Sequence, residues 1–198
     1  YDIERLVGKI AYGNSNGREM NSLKTSLMQI PAIKELLKEN KSALIRKLEE
    51  NLDACEDLAK LIDSAIIDDP PISVKEGGII KTGFNQEVDE YKKASTEGKT
   101  WLLELEQREK ETTGIKNLKV GFNKVFGYYI EVTKSNLGLV PDRYIRKQTL
   151  TNGERYITEE LNELESKILG AEEKVVNLEY NAFIEIREEI AKNIKREL

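Results

Sequence analysis

Between Leu161 and Ala182 the apolar side chains Leu161, Leu164, Ile168, Ala171, Val175, Leu178 and Ala182 alternate by threes and fours, and Phe183, Ile186, Ile190 and Ile194 extend the stripe after a small shift of face. A seam this sustained specifies one long helix with a narrow buried side, which must find a partner along its length. Thr158 is placed to cap it, with Glu159 and Glu160 near the positive end of the helix dipole. At 1.5 Å per residue, roughly 34 residues reach about 50 Å.

The partner lies upstream. Asn85 caps a helix whose apolar or small positions Val88, Tyr91, Ser95, Gly98, Leu102 and Leu105 repeat in threes and fours to about Thr112. Between the two helices the period changes to two. Leu118, Val120 and Phe122 alternate with Lys119, Gly121 and Asn123, and Tyr128, Ile130 and Val132 repeat the pattern after Gly127, which predicts a hairpin with one wet face. A second pair, Lys147 to Thr151 and Glu154 to Ile157, is separated by Asn152-Gly153, the dipeptide suited to a type I′ turn.

Toward the N-terminus, Ile3, Leu6, Val7 and Ile10 predict a helix that breaks at Gly13-Asn-Ser-Asn-Gly17, and Met20, Leu23 and Leu27 predict another. Pro31 opens a helix carrying Ile33, Leu36 and Leu37, and Ser42 caps one running from Leu44 through Cys55 toward Leu61 and Ile62. Pro70, Pro71 and Gly77-Gly78 exclude helix from the connecting loop 68–80. The predicted fold is mainly α with a small antiparallel β insertion: a helical bundle plus a long antiparallel helical arm capped by a roughly four-stranded β clamp. Its expected divisions are a helical base over 1–85, an outgoing helix over 86–113, a β-rich clamp over 114–157 and a returning helix over 158–198.

Composition removes several function classes. The 198 residues contain no histidine and one cysteine, which argues against hydrolytic triads, thiolate clusters and zinc sites. No run approaches the ~18 uninterrupted apolar residues of a membrane span, and the lone Cys55 fits a reducing cytoplasm. The chain starts at Tyr1 within a patterned segment, as an excised piece of a longer protein would.

Charge is the functional signal. From Thr113 to Ile157 the basic residues are Lys116, Lys119, Lys124, Lys134, Arg143, Arg146, Lys147 and Arg155, and the acids are Glu131, Asp142 and Glu154. Eight cations against three anions make this segment +5, so within a total of -5 the rest carries -10. A cationic patch on acidic supports attracts a polyanion at one place and repels it elsewhere. Solvated lysines guarding sheet edges are the bland alternative. The wet face favours the polyanion, since Lys119, Asn123, Thr151 and Asn152 combine a cation with short donors suited to phosphate oxygens. No helix carries Arg, Asn and Gln at groove-reading spacing, so contact with DNA should ignore sequence.

The stretches FNKVFGYYIEVTK at 122–134 and YIRKQTLTNGERYITEEL at 144–161 resemble the clamp region of the MutS mismatch-repair family. DPPISVKEGGIIKTGFNQEVDEY at 69–91 and DIERLVGKIAYGN at 2–14 are similar to the family's core and lever region. The clamp argues for the mismatch-repair branch rather than the recombination-suppressing one, which lacks it. The resemblance implies a lever and clamp fragment that touches the backbone of duplex DNA without sequence preference, with a second MutS protomer as partner in the parent dimer. Candidate backbone contacts are Lys119, Asn123, Lys124, Lys147, Thr151, Asn152 and Arg155; Asn123, Lys124, Thr151, Asn152 and Arg155 are matched by the FNK and TNGER motifs.

The fragment is expected to need no cofactor and to be no enzyme, the ATP and Mg of the parent belonging to an ATPase outside this stretch. Phe183-Ile-Glu185 imitates the family's mismatch-sensing tripeptide but sits in a helical seam, and Gly98-Lys-Thr100 imitates the end of a phosphate loop inside another. The resemblance further implies a cytoplasmic, nucleoid-associated protein without membrane contact. The rival reading is a coiled-coil arm whose β tip docks a protein through exposed Tyr129, Tyr144 or Tyr156.

Overall fold

The computed structural model describes residues 1–193; Ile194, the last residue of the expected stripe, lies outside them. The chain forms two compact units, residues 1–89 with the segment from 175 onward, and residues 90–174.

In the first unit, α1 (Ile3–Ala11), α2 (Gly17–Leu27) and α5 (Glu56–Ala65) bury Leu6, Val7, Ile10, Met20, Leu23, Leu27, Leu58 and Ile62 against Phe183, Ile186 and Ile190 of α7 (Glu159–Lys192). Asp2 caps α1, and Asn16 with Glu19 forms a reciprocal capping box on α2, so the expected break at 13–17 is also the start signal of the next helix. Phe183 is fully buried, in keeping with a packing role for Phe183-Ile-Glu185.

Two expectations for this unit are corrected. The helix expected from Ser42 through Cys55 to Ile62 is interrupted: α4 (Ala43–Asn51) stops, Asp53 Oδ1 accepts the Cys55 amide at 2.9 Å, and Cys55 takes a left-handed φ of 47° before α5 begins. The Asp side chain offers the backbone a turn in place of the helical bond. Ser42 also makes no side-chain cap. In addition, α3 (Ile30–Lys38) and α4 bury no residue, leaving Ile33, Leu36, Leu44 and Leu48 exposed, so the bundle core has fewer helices than the pattern implied.

The loop 68–80 is irregular, as its prolines require, and closes with an antiparallel bridge between Ile66 and Ile80. Both Gly77 and Gly78 have positive φ there. They turn the backbone so that the amides of Gly78, Ile79 and Ile80 all point at the carboxylate of Glu179 on α7.

In the second unit, α6 (Gln86–Thr113) and α7 run antiparallel: Gly98 faces Ile168, Lys99 pairs with Glu172, and Arg108 pairs with Glu160. A Cβ on Gly98 would overlap the Ile168 side chain, so this glycine is a close-packing position inside a helix, not part of a phosphate loop. Asn85 and Thr158 cap the two helices through the amides of Val88 and Leu161, as their positions imply.

The sheet between these helices has the order β1-β2-β4-β3, all antiparallel, with β1 Lys119–Asn123, β2 Gly127–Thr133, β3 Ile145–Thr149 and β4 Gly153–Ile157. Ile130, Val132 and Tyr156 pack from one face against Leu102, Leu105, Leu161 and Ile168. The predicted loop after β2 contains a 3₁₀ turn over Lys134–Leu139.

Candidate nucleic-acid interface

Strand register decides which side chains meet. Lys119 stands opposite Glu131, Glu131 opposite Arg155, and Arg155 opposite Gln148, forming one row across the outer face. Alternation therefore delivers the wet face that the sequence implied. Its centre is a closed network. Arg155 Nε donates to Glu131 at 2.9 Å, its terminal nitrogen donates to Gln148 at 3.1 Å, and its guanidinium lies 4.1 Å from the centroid of the Tyr129 ring. Tyr129 in turn covers Gly121, where a Cβ would sit 2.7 Å from the ring.

The other two arginines of the segment are likewise engaged. Arg146 pairs with Glu154 at 3.3 Å, and Arg143 donates to buried Glu109 at 2.6 Å. Glu109 also accepts from the Tyr144 hydroxyl at 2.7 Å. Burial and that bond push the Tyr144 phenol well up, and burial with Glu154 beside it pushes the Tyr156 phenol up to about 12. Both rings are buried, which removes two of the three tyrosines expected as exposed anchors.

The lysines differ. Lys116, Lys119, Lys124, Lys134 and Lys147 are exposed and, among the described residues, none makes an ion pair or side-chain hydrogen bond. The arginines build the platform and the lysines carry its unspent charge.

The sheet sorts the seven candidate residues into three places. Thr151 and Asn152 form the β3–β4 turn, exposed and without side-chain hydrogen bonds, and the Lys134 amide donates to the Asn152 carbonyl at 3.0 Å. Lys147 is the extra residue of a β-bulge between Arg146 and Gln148 on edge strand β3. A bulge leaves its residue outside the ladder and re-aims it. Lys119 shares the row of Arg155, two residues along β2 from the β3–β4 turn, and the bulge at Lys147 lies just beyond that row. Asn123 and Lys124, by contrast, belong to the β1–β2 turn at the opposite end, six residues along β2 and so about 20 Å away at ~3.4 Å per residue. The Asn123 amide oxygen is occupied there, accepting from Val125 and Phe126 at 2.8 and 3.4 Å. Arg155 lies between the two ends.

The β3–β4 turn also corrects an expectation. Its central residues are Thr151 and Asn152, closed by a Leu150 amide to Gly153 carbonyl bond of 2.8 Å, and no residue of the turn has positive φ. It is not the type I′ turn expected at Asn152-Gly153. Gly153 instead begins β4 opposite Thr133, where a Cβ would collide with the Val132 carbonyl, so the glycine serves strand approach.

Sequence reasoning had not singled out Lys116 and Lys134 as site residues, nor Asn117 and Asn136. Asn117 donates to Thr133 at 2.9 Å and accepts from Asn136 at 2.6 Å, tying the segment before β1 to the 3₁₀ turn beside Lys134. Their residue types were visible; their adjacency depends on sheet order. Among the described residues no cluster of metal-ligating side chains occurs, and no helix is long and apolar enough to cross a membrane.

These features define a helical domain with a β insertion whose exposed lysines, Lys134 beside the β3–β4 turn and Lys119 and Lys147 farther along the sheet, make no ion pair among the described residues. Residues 83–174 match the family model described as MutS family domain IV. The chain is 58% identical over 196 residues to the DNA mismatch repair protein MutS of Ruminiclostridium cellulolyticum, covering 99% of this chain and 22% of that protein. The MutS proteins of Clostridium botulinum strain Hall and Acetivibrio thermocellus are also 58% identical, over 99% of this chain and 21% and 22% of their own lengths. Along nearly its whole length the chain is similar to MutS proteins, with the domain IV match confined to residues 83–174, and it spans about a fifth of the length of these relatives.

Proposed function

We propose that this chain is the lever and clamp segment of a mismatch-repair sensor and meets the backbone of duplex DNA through the β3–β4 end of its sheet. Lys116, Lys119, Lys134 and Lys147 supply charge there, and Thr151 and Asn152 supply short polar groups. The observation that carries this reading is the contrast between three arginines held by carboxylates and exposed lysines without ion pairs among the described residues, of which Lys134 stands beside the open β3–β4 turn and Lys119 and Lys147 lie farther along the sheet. Unpaired ammonium groups release condensed counterions when they neutralise phosphates, which drives binding that ignores sequence. Arg155 acts as a brace that fixes the platform, and Lys124 lies outside the contact.

In the longer protein the segment acts within a cytoplasmic, nucleoid-associated dimer, in which an ATPase binding ATP and Mg drives clamp closure. The segment itself performs no chemistry. Its isolated affinity belongs to the nonspecific range, a Kd of about 10⁻⁴ M or weaker at physiological salt. Anisotropy of a labelled duplex, followed against salt, tests the assignment. Replacing Lys134 and Lys147 by Ala is expected to reduce the log-log salt slope by about 1.8, at ~0.9 per phosphate contact. Lys124→Ala should leave it unchanged. A slope unaffected by the double substitution refutes the assigned surface.

A further inference from the structure

The β1–β2 turn sits at the other end of the sheet from the proposed DNA contact and has a different chemistry. Val125 is 81% exposed, Phe126 46% and Phe122 48%, and Leu103 of α6 nearby is 70% exposed. Turn tips ordinarily carry Gly, Asn, Asp or Ser, and large apolar residues concentrated on one mark a contact surface. This turn is also held firmly. Asn123 accepts two of its amides, Gly127 takes a φ of 76°, and Glu165 of α7 accepts the Tyr128 amide at 3.2 Å. A Cβ at Gly127 would overlap the Glu165 carboxylate, so helix and turn are in direct apposition. Apolar groups on a braced turn lose little conformational freedom when covered.

Beside the turn, a cavity of about 240 Å³ is lined by Leu102, Leu103, Val120, Gly121, Phe122 and Tyr128, with Lys99 and Glu106 at its polar side, leaving room for one apolar side chain. The charge around it is positive once existing pairs are set aside. Glu106 is held by Lys110 and the Val120 amide; burial pulls its carboxyl up, but these bonds outweigh that and leave it below the usual range. Glu172 is held by Lys99 at 2.8 Å. Glu165 is spent on the turn and Lys119 acts on Glu106, whereas Lys124 remains exposed and makes no ion pair among the described residues.

We propose that the β1–β2 turn docks a protein segment presenting an apolar side chain flanked by carboxylates, the side chain entering the cavity and the carboxylates facing Lys124. Apolar and aromatic groups at the centre with charge at the rim is the usual anatomy of such contacts. Phosphate backbone offers nothing to Phe122, Val125 or Phe126, so the occupant is protein. This surface is separate from the proposed DNA contact and stands without it.

The test uses the nitrogen-15-labelled chain and a short synthetic peptide of Leu, Phe and Glu. Two controls accompany it: one with Ser in place of Leu and Phe, and one with Lys in place of Glu. The acidic apolar peptide is expected to produce saturable amide shifts over residues 122–127, and both controls to produce none. Phe126→Ser should weaken that binding about tenfold, as should Val125→Ser, whose highly exposed side chain makes loss of folding irrelevant to the result. Lys124→Glu should shift the preference toward the Lys peptide. Equal shifts from either control, shifts elsewhere only, or unchanged affinity in both Ser variants overturn the proposal. So does competition for residues 122–127 by a short duplex, which would make the turn part of a DNA surface.

Discussion

Glu179→Leu is expected to lower the stability of the first unit by about 3 kcal/mol or more, because buried amides left without an acceptor cost roughly 1–3 kcal/mol each. Glu179 is fully buried on α7 and accepts from Ile79 at 3.4 Å and Ile80 at 3.3 Å, as well as from Gly78. Gly78 is exposed and can turn to water; Ile79 and Ile80 are buried and cannot. Leu fills the space but accepts nothing. Glu179→Gln keeps one acceptor oxygen and should cost about half as much, since a neutral acceptor makes a bond roughly half as strong as a charged one. Denaturant unfolding followed by circular dichroism measures both. Trp101, the one tryptophan, lies in the second unit, so its fluorescence reports whether that unit is spared. A Glu179→Leu midpoint close to that of the unaltered chain would show that the loop 77–80 is anchored by something else.

The second large effect is expected in the β-bearing unit. Glu109 is 5% exposed on α6 and takes both the Arg143 guanidinium and the Tyr144 hydroxyl on one oxygen. Glu109→Leu removes a charge-assisted bond and orphans a buried hydroxyl, a loss of about 3 kcal/mol. Tyr144→Phe alone should cost about 1 kcal/mol. The double variant should be more stable than the sum of the two predicts, because a phenyl ring at position 144 carries no hydroxyl to orphan. Trp101 fluorescence in urea provides the readout, and strict additivity of the two losses would contradict the shared-oxygen arrangement.

Much of this architecture was legible because it rests on periodicity. The switch from threes and fours to alternation at Gly114, and back at Thr158, located α6, the sheet and α7, and Asn85 and Thr158 marked helix starts through ordinary capping chemistry. What stayed hidden depends on partners distant in sequence. The Glu179 anchor joins residues about a hundred positions apart, and one carboxylate in a helical seam looks like any other surface acid. Cys55 reads as a helical position until Asp53 supplies the competing turn. Gly153 reads as a turn glycine until β2 is placed against it.

The candidate site shows the same division. Counting charges marked the segment as cationic, but charge counting cannot tell a spent cation from a free one. Pairing turns Arg143, Arg146 and Arg155 into braces, and the order β1-β2-β4-β3 sends Lys124 to one end while Thr151 and Asn152 go to the other. Neither fact has a local signature in the sequence.

The most direct measurement is an amide-shift map of the labelled chain titrated with a short duplex at low salt. The largest shifts are expected at Lys134, Lys147, Thr151 and Asn152, with the same pattern for a duplex of scrambled sequence. Shifts that cluster at Asn123 to Phe126, or that depend on which sequence is added, would contradict a backbone contact made by the β3–β4 end of the sheet.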